Sequence, residues 1–175
     1  MTDDDLRQRI VGAVTFPGGH ADVWAIFLDA ALFHEVVTAL ADPFRGRVQK
    51  VVGIEARGFI LGAAVAIELE AGFVAIRKPG GLLPGGKHAK LGAADYRGNT
   101  WEMRMQRAAV RPGEAVLLVD DWVETGSQAA AARSLIESSG GIFAGIAAIV
   151  DQTPVGWTAG HPASHFLIPA GELRG

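Results

Sequence analysis

Cysteine is absent from the 175 residues, which excludes disulfides and thiolate-held metals and fits a reducing, cytoplasmic setting. An excess of positive charge is missing too. At a formal net charge of -3 the chain has no basic footprint, so nucleic acid is not expected as a partner. Long apolar runs are lacking: the longest, Gly58 to Ile67, is too short to cross a bilayer. Met1-Thr2-Asp3-Asp4-Asp5 opens acidic rather than basic, so no signal peptide and no membrane partner are expected. Neither a repeat nor a linker divides the sequence, and its length suits a single domain over 1–175. With 49% hydrophobic and 20% charged residues it reads as an ordered, globular chain.

The chain is organised around Val116-Leu117-Leu118-Val119-Asp120-Asp121-Trp122-Val123-Glu124-Thr125-Gly126-Ser127-Gln128. Its four leading apolar residues read as a buried parallel strand. Two carboxylates stand where that strand would end, the usual ligand crevice of an open α/β sheet. The small-residue turn Thr125-Gly126-Ser127 then leads into an alanine-rich helix closed by Gly140. A turn at a helix N-terminus offers N–H groups and the positive dipole end to a phosphate. Carboxylates, which only accept hydrogen bonds, suit ribose hydroxyls.

Around this centre strands and helices alternate, as in βαβ units with a mainly parallel sheet. Thr2 and Asp5 read as a capped helix start, with Leu6, Ile10 and Val11 on one face. Phe16-Pro17-Gly18-Gly19 is a turn, and a second helix is expected from about Asp22 to Leu40, before Asp42-Pro43. Val48 to Ile54 reads as a strand, Glu55-Ala56-Arg57-Gly58 as a turn, Phe59 to Leu69 as a helix and Phe73 to Arg77 as a strand. From Lys78 to about Ala94 periodicity is lost among glycines, prolines and lysines, which marks a lid or binding loop. Strand is expected within Tyr96–Gln106 on either side of Gly98-Asn99, then at Ile142–Val150 and His165–Ile168.

The central stretch resembles the 5-phosphoribosyl 1-pyrophosphate (PRPP) motif of type I phosphoribosyltransferases. Two further stretches resemble the adenine phosphoribosyltransferases within that group: Val52-Gly53-Ile54-Glu55-Ala56-Arg57-Gly58-Phe59-Ile60-Leu61-Gly62, and Phe73-Val74-Ala75-Ile76-Arg77-Lys78-Pro79-Gly80. The three lie in the family's order and cover roughly residues 48–150. The resemblance implies an α/β fold with a mainly parallel sheet flanked by helices. Residues 1–47 would form a small hood with N-terminal helices, 48–175 the PRPP-binding core, and about 79–94 a mobile loop. It also implies transfer of the phosphoribosyl group of PRPP to a purine-like base with release of pyrophosphate, Mg²⁺ held mainly by PRPP and water, and a homodimer.

By the same resemblance Asp120, Asp121, Glu124 and Asp95 are the catalytic candidates, and Glu124, Thr125, Gly126, Ser127 and Gln128 would wrap the 5′-phosphate. Ala56, Arg57, Gly58, Arg77, Lys78 and Lys87 would face pyrophosphate, a multiply charged leaving group that needs cations and backbone donors. Lys90 could add charge from the same loop as Lys87, but solvated surface lysines and arginines are the ordinary alternative, and for Lys90 it is the better one.

The base side departs from the family. The Phe-Arg pair that binds adenine there falls on His20-Ala21, so an aromatic face must come from Trp24, Tyr96 or Trp122; Trp122 equally suits plain packing. Asp95-Tyr96-Arg97-Gly98 stands in place of Glu-Tyr-Gly. Glu124 occupies the position of an acid proposed, in hypoxanthine-guanine enzymes, to handle the N7 proton; a carboxylate turned to solvent is the alternative. These departures leave open a 6-oxopurine, a non-purine base, or a PRPP-sensing regulatory protein without turnover. Two patterns are set aside. Gly81-Leu82-Leu83-Pro84-Gly85-Gly86-Lys87-His88 imitates a Walker A loop, but His88 replaces the required Ser or Thr. His161 and His165 have metal-ligand spacing, but Pro162 argues against a helix there.

Overall fold

The computed structural model describes residues 3–91, 102–160 and 163–173. Its helices are α1 (Asp3–Ala13), α2 (Trp24–Leu28), α3 (Ala30–Ala41), α4 (Arg57–Glu68) and α5 (Ser127–Ser138). Its strands are β1 (Lys50–Ile54), β2 (Gly72–Arg77), β3 (Lys87–Leu91), β4 (Glu102–Gln106), β5 (Ala115–Val123), β6 (Ile142–Asp151) and β7 (Ser164–Pro169). Among the described residues they form one seven-stranded sheet in the order β3-β4-β2-β1-β5-β6-β7. From β2 through β7 in that order, all neighbours run parallel, while β3 and β4 add an antiparallel edge.

The central strands β1, β5 and β6 are buried on both faces over most of their length, which is why apolar residues run through them without alternation. Leu117 and Val119 of β5 pack in the layer that holds α1, α3 and α4. Val116 and Leu118, which alternate with them, pack in the layer that holds α5. Helix α4 lies unusually close to β1 because of two glycines: a β-carbon on Gly53 would sit 2.1 Å from the Gly58 carbonyl oxygen. The first 47 residues are no appendage, since Leu6, Ile10, Ile26, Val36 and Leu40 share one core with Val51 and Leu117.

Four expectations from sequence need correction. The helix expected over 22–40 is two helices, broken at Asp29, whose carboxylate accepts from the Ala31 and Leu32 N–H groups and caps α3. The segment expected to be a loop from Lys78 to Ala94 contains β3, an exposed edge strand whose Lys-His-Ala-Lys-Leu sequence has no apolar alternation to reveal it. The central strand does not end before the acids; β5 continues to Val123 and carries Asp120 and Asp121 within it. The strand expected from Val48 begins at Lys50. Asp95, Tyr96, Gly98-Asn99, the 92–94 end of the expected loop and His161 lie outside the described residues.

Candidate active site

Strand β1 pairs with β2 on one side and β5 on the other, and the chain crosses over in opposite directions from these two pairs. That is a topological switch point, where open α/β sheets bind ligands beyond the strand ends. A cleft of about 670 Å³ opens there.

The first wall is the turn from β1 into α4, Ile54 to Arg57; its Glu55–Ala56 peptide bond is cis. Glu55 holds this turn to the end of β2. Its carboxylate accepts from Arg77 Nη2 at 2.7 Å and from the Lys78 backbone N–H at 3.0 Å. The Arg77 hydrogen bond, ahead of all other causes, holds the Glu55 carboxyl below its usual range. Arg77 also donates to the Leu82 carbonyl at 2.9 Å.

Strand β5 delivers the acids. Asp121 is buried at 4% exposure, and its Oδ2 lies 2.8 Å from Arg57 Nε. The approach is off the line an N–H needs, so that oxygen has a charge partner but no hydrogen bond. Asp120 accepts from the Asp121 N–H at 3.0 Å, and Gly58 packs against its Oδ1. Burial, then the charge of Asp121, pushes the Asp120 carboxyl well above the ordinary carboxylate range.

Beyond β5 the chain turns through Gly126 at φ 75, and α5 starts at Ser127. Gly126 has no side chain to cap this helix, so the Gln128 and Ala129 N–H groups of its first turn face the cleft as donors for an anion. The Ser127 N–H is 3.3 Å from Thr125 Oγ1, which tightens the turn.

The remaining wall is His20, Ala21 and Trp24 from the N-terminal segment, facing Trp122 of β5. An isolated bridge between Thr15 and Asp22 closes the loop that carries His20. Trp122 is held by its Nε1 donating to Gln152 Oε1 at 2.7 Å and by Phe16 edge-on at 6.5 Å.

The sequence candidates thus separate. Asp120, Asp121, Ala56, Arg57, Lys78, Glu124, Thr125, Gly126, Ser127, Gln128, His20, Ala21 and Trp122 line the one cleft. Three assigned to pyrophosphate do not. Arg77 is tied to Glu55 and Leu82, Gly58 lies behind Asp120, and Lys87 stands on β3 opposite Gln106. Asp95 and Tyr96 are outside the described residues. Glu55 was missed because its partner, Arg77, comes from the neighbouring strand and no local pattern announces the pair.

The donors present suit a hard cation. Asp120, Asp121 and Glu124 stand on the cleft wall with carboxylate oxygens, although Asp121 Oδ2 is buried against Arg57, and no group of three ligating side chains is gathered among the described residues. That fits Mg²⁺, which keeps several waters and leans on substrate oxygens.

An acid pair and an anion-binding turn at the switch point of such a sheet define a type I phosphoribosyltransferase fold. No family model matches the chain. It is 43% identical over 139 residues to the adenine phosphoribosyltransferase of Bradyrhizobium sp. (strain ORS 278), covering 79% of this chain and 76% of that protein. Against the enzyme of that name from Cereibacter sphaeroides (strain ATCC 17025 / ATH 2.4.3) identity is 40% over 162 residues, covering 89% and 88%. The crystal structure of adenine phosphoribosyltransferase from Rhodothermus marinus DSM 4252 superposes with a TM-score of 0.81 at 30% identity, over 95% of this chain and 99% of that one. The chain belongs to the adenine phosphoribosyltransferase family. No described helix is long and apolar enough to cross a membrane.

Proposed function

We propose that the protein transfers the 5-phosphoribosyl group of PRPP to adenine and releases pyrophosphate, as its relatives' names indicate. The observation that carries this is one cleft lined by Asp120 and Asp121 of β5, the Thr125–Gln128 turn that follows, Lys78, and Arg57 paired with Asp121. The turn takes the 5′-phosphate at the N-terminus of α5. The two acids accept from the ribose hydroxyls and lie near the positive charge that develops on the sugar.

In the reaction, N9 of adenine forms a bond to ribose C1 while the bond from C1 to pyrophosphate oxygen breaks. The electron pair leaves with pyrophosphate, and the N9 proton passes to solvent or a nearby carboxylate such as Glu124. Arg57 and Lys78 stabilise the leaving group as its charge grows. Mg²⁺ would supply charge neutralisation on the pyrophosphate, and Asp120, Asp121 and Glu124 are the cleft residues that would help to hold it. Trp24 and Trp122 give the base two apolar faces in place of the absent Phe-Arg pair. A cytoplasmic setting and a homodimer belong to the same reading; Ile60, Ile67 and Phe73, exposed on and beside α4, are the apolar surface that supports a dimer.

A single assay tests the proposal: protein, PRPP, Mg²⁺ and a panel of bases, with pyrophosphate release followed. Release that depends on adenine is expected. Release with a 6-oxopurine instead would move the assignment to that base, the reading favoured by Glu124. PRPP binding with no release for any base would make the chain a sensor.

A further inference from the structure

The phosphate turn has a second support that neither its sequence nor the family resemblance announces. Beyond β6 the chain folds back over the end of β5. Asp151 pairs with Val123, and the Gln152 N–H extends that ladder to the Val123 carbonyl at 2.8 Å. The Gln152 side chain takes the Trp122 indole N–H at 2.7 Å. Asp151 Oδ1 then accepts from both the N–H and the hydroxyl of Thr153, at 2.8 and 2.7 Å. This closes a turn, and the Trp157 N–H reaches the Pro154 carbonyl at 3.0 Å.

The route ends with the Trp157 indole against Gly126. A β-carbon on Gly126 would lie 2.2 Å from Trp157 Nε1, 2.3 Å from Cε2 and 2.6 Å from Cζ2. Gly126 therefore meets two demands, a φ of +75 and a flat ring at its surface. The ring is half-buried and packs against the core that contains Val123 and Ala129. So the residue that sets the direction of the first α5 N–H groups rests against a packed aromatic wall. A turn without such a wall would sample several orientations, and each phosphate capture would bear the entropy of ordering it.

We propose that Trp157 is a positioning residue for the 5′-phosphate: it acts through Gly126 to hold the Thr125–Gln128 turn in its anion-binding shape. This rests on the phosphoribosyltransferase reading above. The substrate group it serves is the phosphate common to PRPP, ribose 5-phosphate and nucleoside 5′-monophosphates, not the base.

The test compares wild type, Trp157→Ala, Trp157→Leu and Trp157→Phe. The readouts are KM for PRPP and for adenine, kcat, affinity for ribose 5-phosphate by calorimetry, and Tm. Trp157→Ala should raise KM for PRPP and weaken ribose 5-phosphate at least about tenfold, or roughly 1.4 kcal/mol. KM for adenine and kcat should move less than about threefold. Trp157→Phe, which keeps a flat ring on Gly126, should restore most of the loss. Trp157→Leu preserves apolar volume without the ring, so it tests the role even if the alanine variant does not fold; it should lose phosphate affinity at near-normal Tm. Unchanged ribose 5-phosphate affinity in both Ala and Leu variants, with only Tm lowered, would overturn the role and leave the function standing. Equal losses for adenine and PRPP would overturn it as well. A wild type that binds neither PRPP nor ribose 5-phosphate would overturn the functional reading first, and this role with it.

Discussion

Replacing Gly53 by alanine tests how the site is held, because it adds one methyl group outside the cleft wall. Gly53 lies in β1, in register with Ala75 of β2 and Val119 of β5. The added β-carbon would stand 2.1 Å from the Gly58 carbonyl oxygen and 3.1 Å from the Phe73 ring. The ring can turn, but the carbonyl is backbone. For ordinary contact at 3.4 Å the first turn of α4 must withdraw by about 1.3 Å. That turn carries Arg57, whose guanidinium is 2.8 Å from Asp121, so the pair opens. Overpacking of this kind costs about 1–3 kcal/mol, and a displacement near 1 Å in a catalytic array costs about 100-fold in rate. Urea unfolding should show the first loss and pyrophosphate release the second. Gly12→Ala in α1, with open space around the new carbon, is the control; it should gain about 0.4–1 kcal/mol with no change in rate. A Gly53→Ala protein with unchanged unfolding midpoint and a rate within about threefold of wild type would refute the idea that this contact sets the position of α4.

Asp120→Asn should abolish most turnover yet stabilise the free protein at neutral pH by roughly 1 kcal/mol. The sign follows from the raised folded-state pKa of Asp120: the folded form binds the proton better, so wild type loses stability as pH rises from about 4 through that pKa, whereas Asn does not. Thermal unfolding from pH 4 to 8 should show the two curves diverging upward in pH, and parallel curves would contradict it. Arg57→Ala removes the cation beside buried Asp121 and should cost about 1–3 kcal/mol of stability. It should weaken PRPP and pyrophosphate in calorimetry far more than AMP, which lacks the leaving group; equal weakening would place Arg57 outside the pyrophosphate site.

What the sequence made legible was whatever local pattern encodes. The buried runs of β1, β5 and β6 and the Thr125-Gly126-Ser127 turn are local, and so were readable. Asp29 was equally local, but its capping role was hidden inside an apolar stretch that looked continuous. Strand β3 left no trace, because an exposed edge held by backbone bonds to β4 needs no apolar side chains. Contacts across the sheet were out of reach: Glu55 with Arg77, Trp122 with Gln152, and Gly126 with Trp157 each join residues more than twenty apart. Arg77 and Lys78 are adjacent in sequence, yet only Lys78 lines the cleft, because Arg77 is drawn to Glu55 and the Leu82 carbonyl.

The loop closed by Thr15 and Asp22 bears on how such an enzyme diverges. His20, Ala21 and Trp24 come from a stretch that contributes no strand to the sheet, whereas the acids and Arg57 are spaced by the β1–β5 ladder. His20, Ala21 and Trp24 also stand outside the buried core that joins this segment to β1 and β5, so the proposed base wall can change while the spacing of the sugar-phosphate residues is kept. The base that such a site accepts is then set apart from the sugar-phosphate chemistry, because the two depend on different parts of the chain.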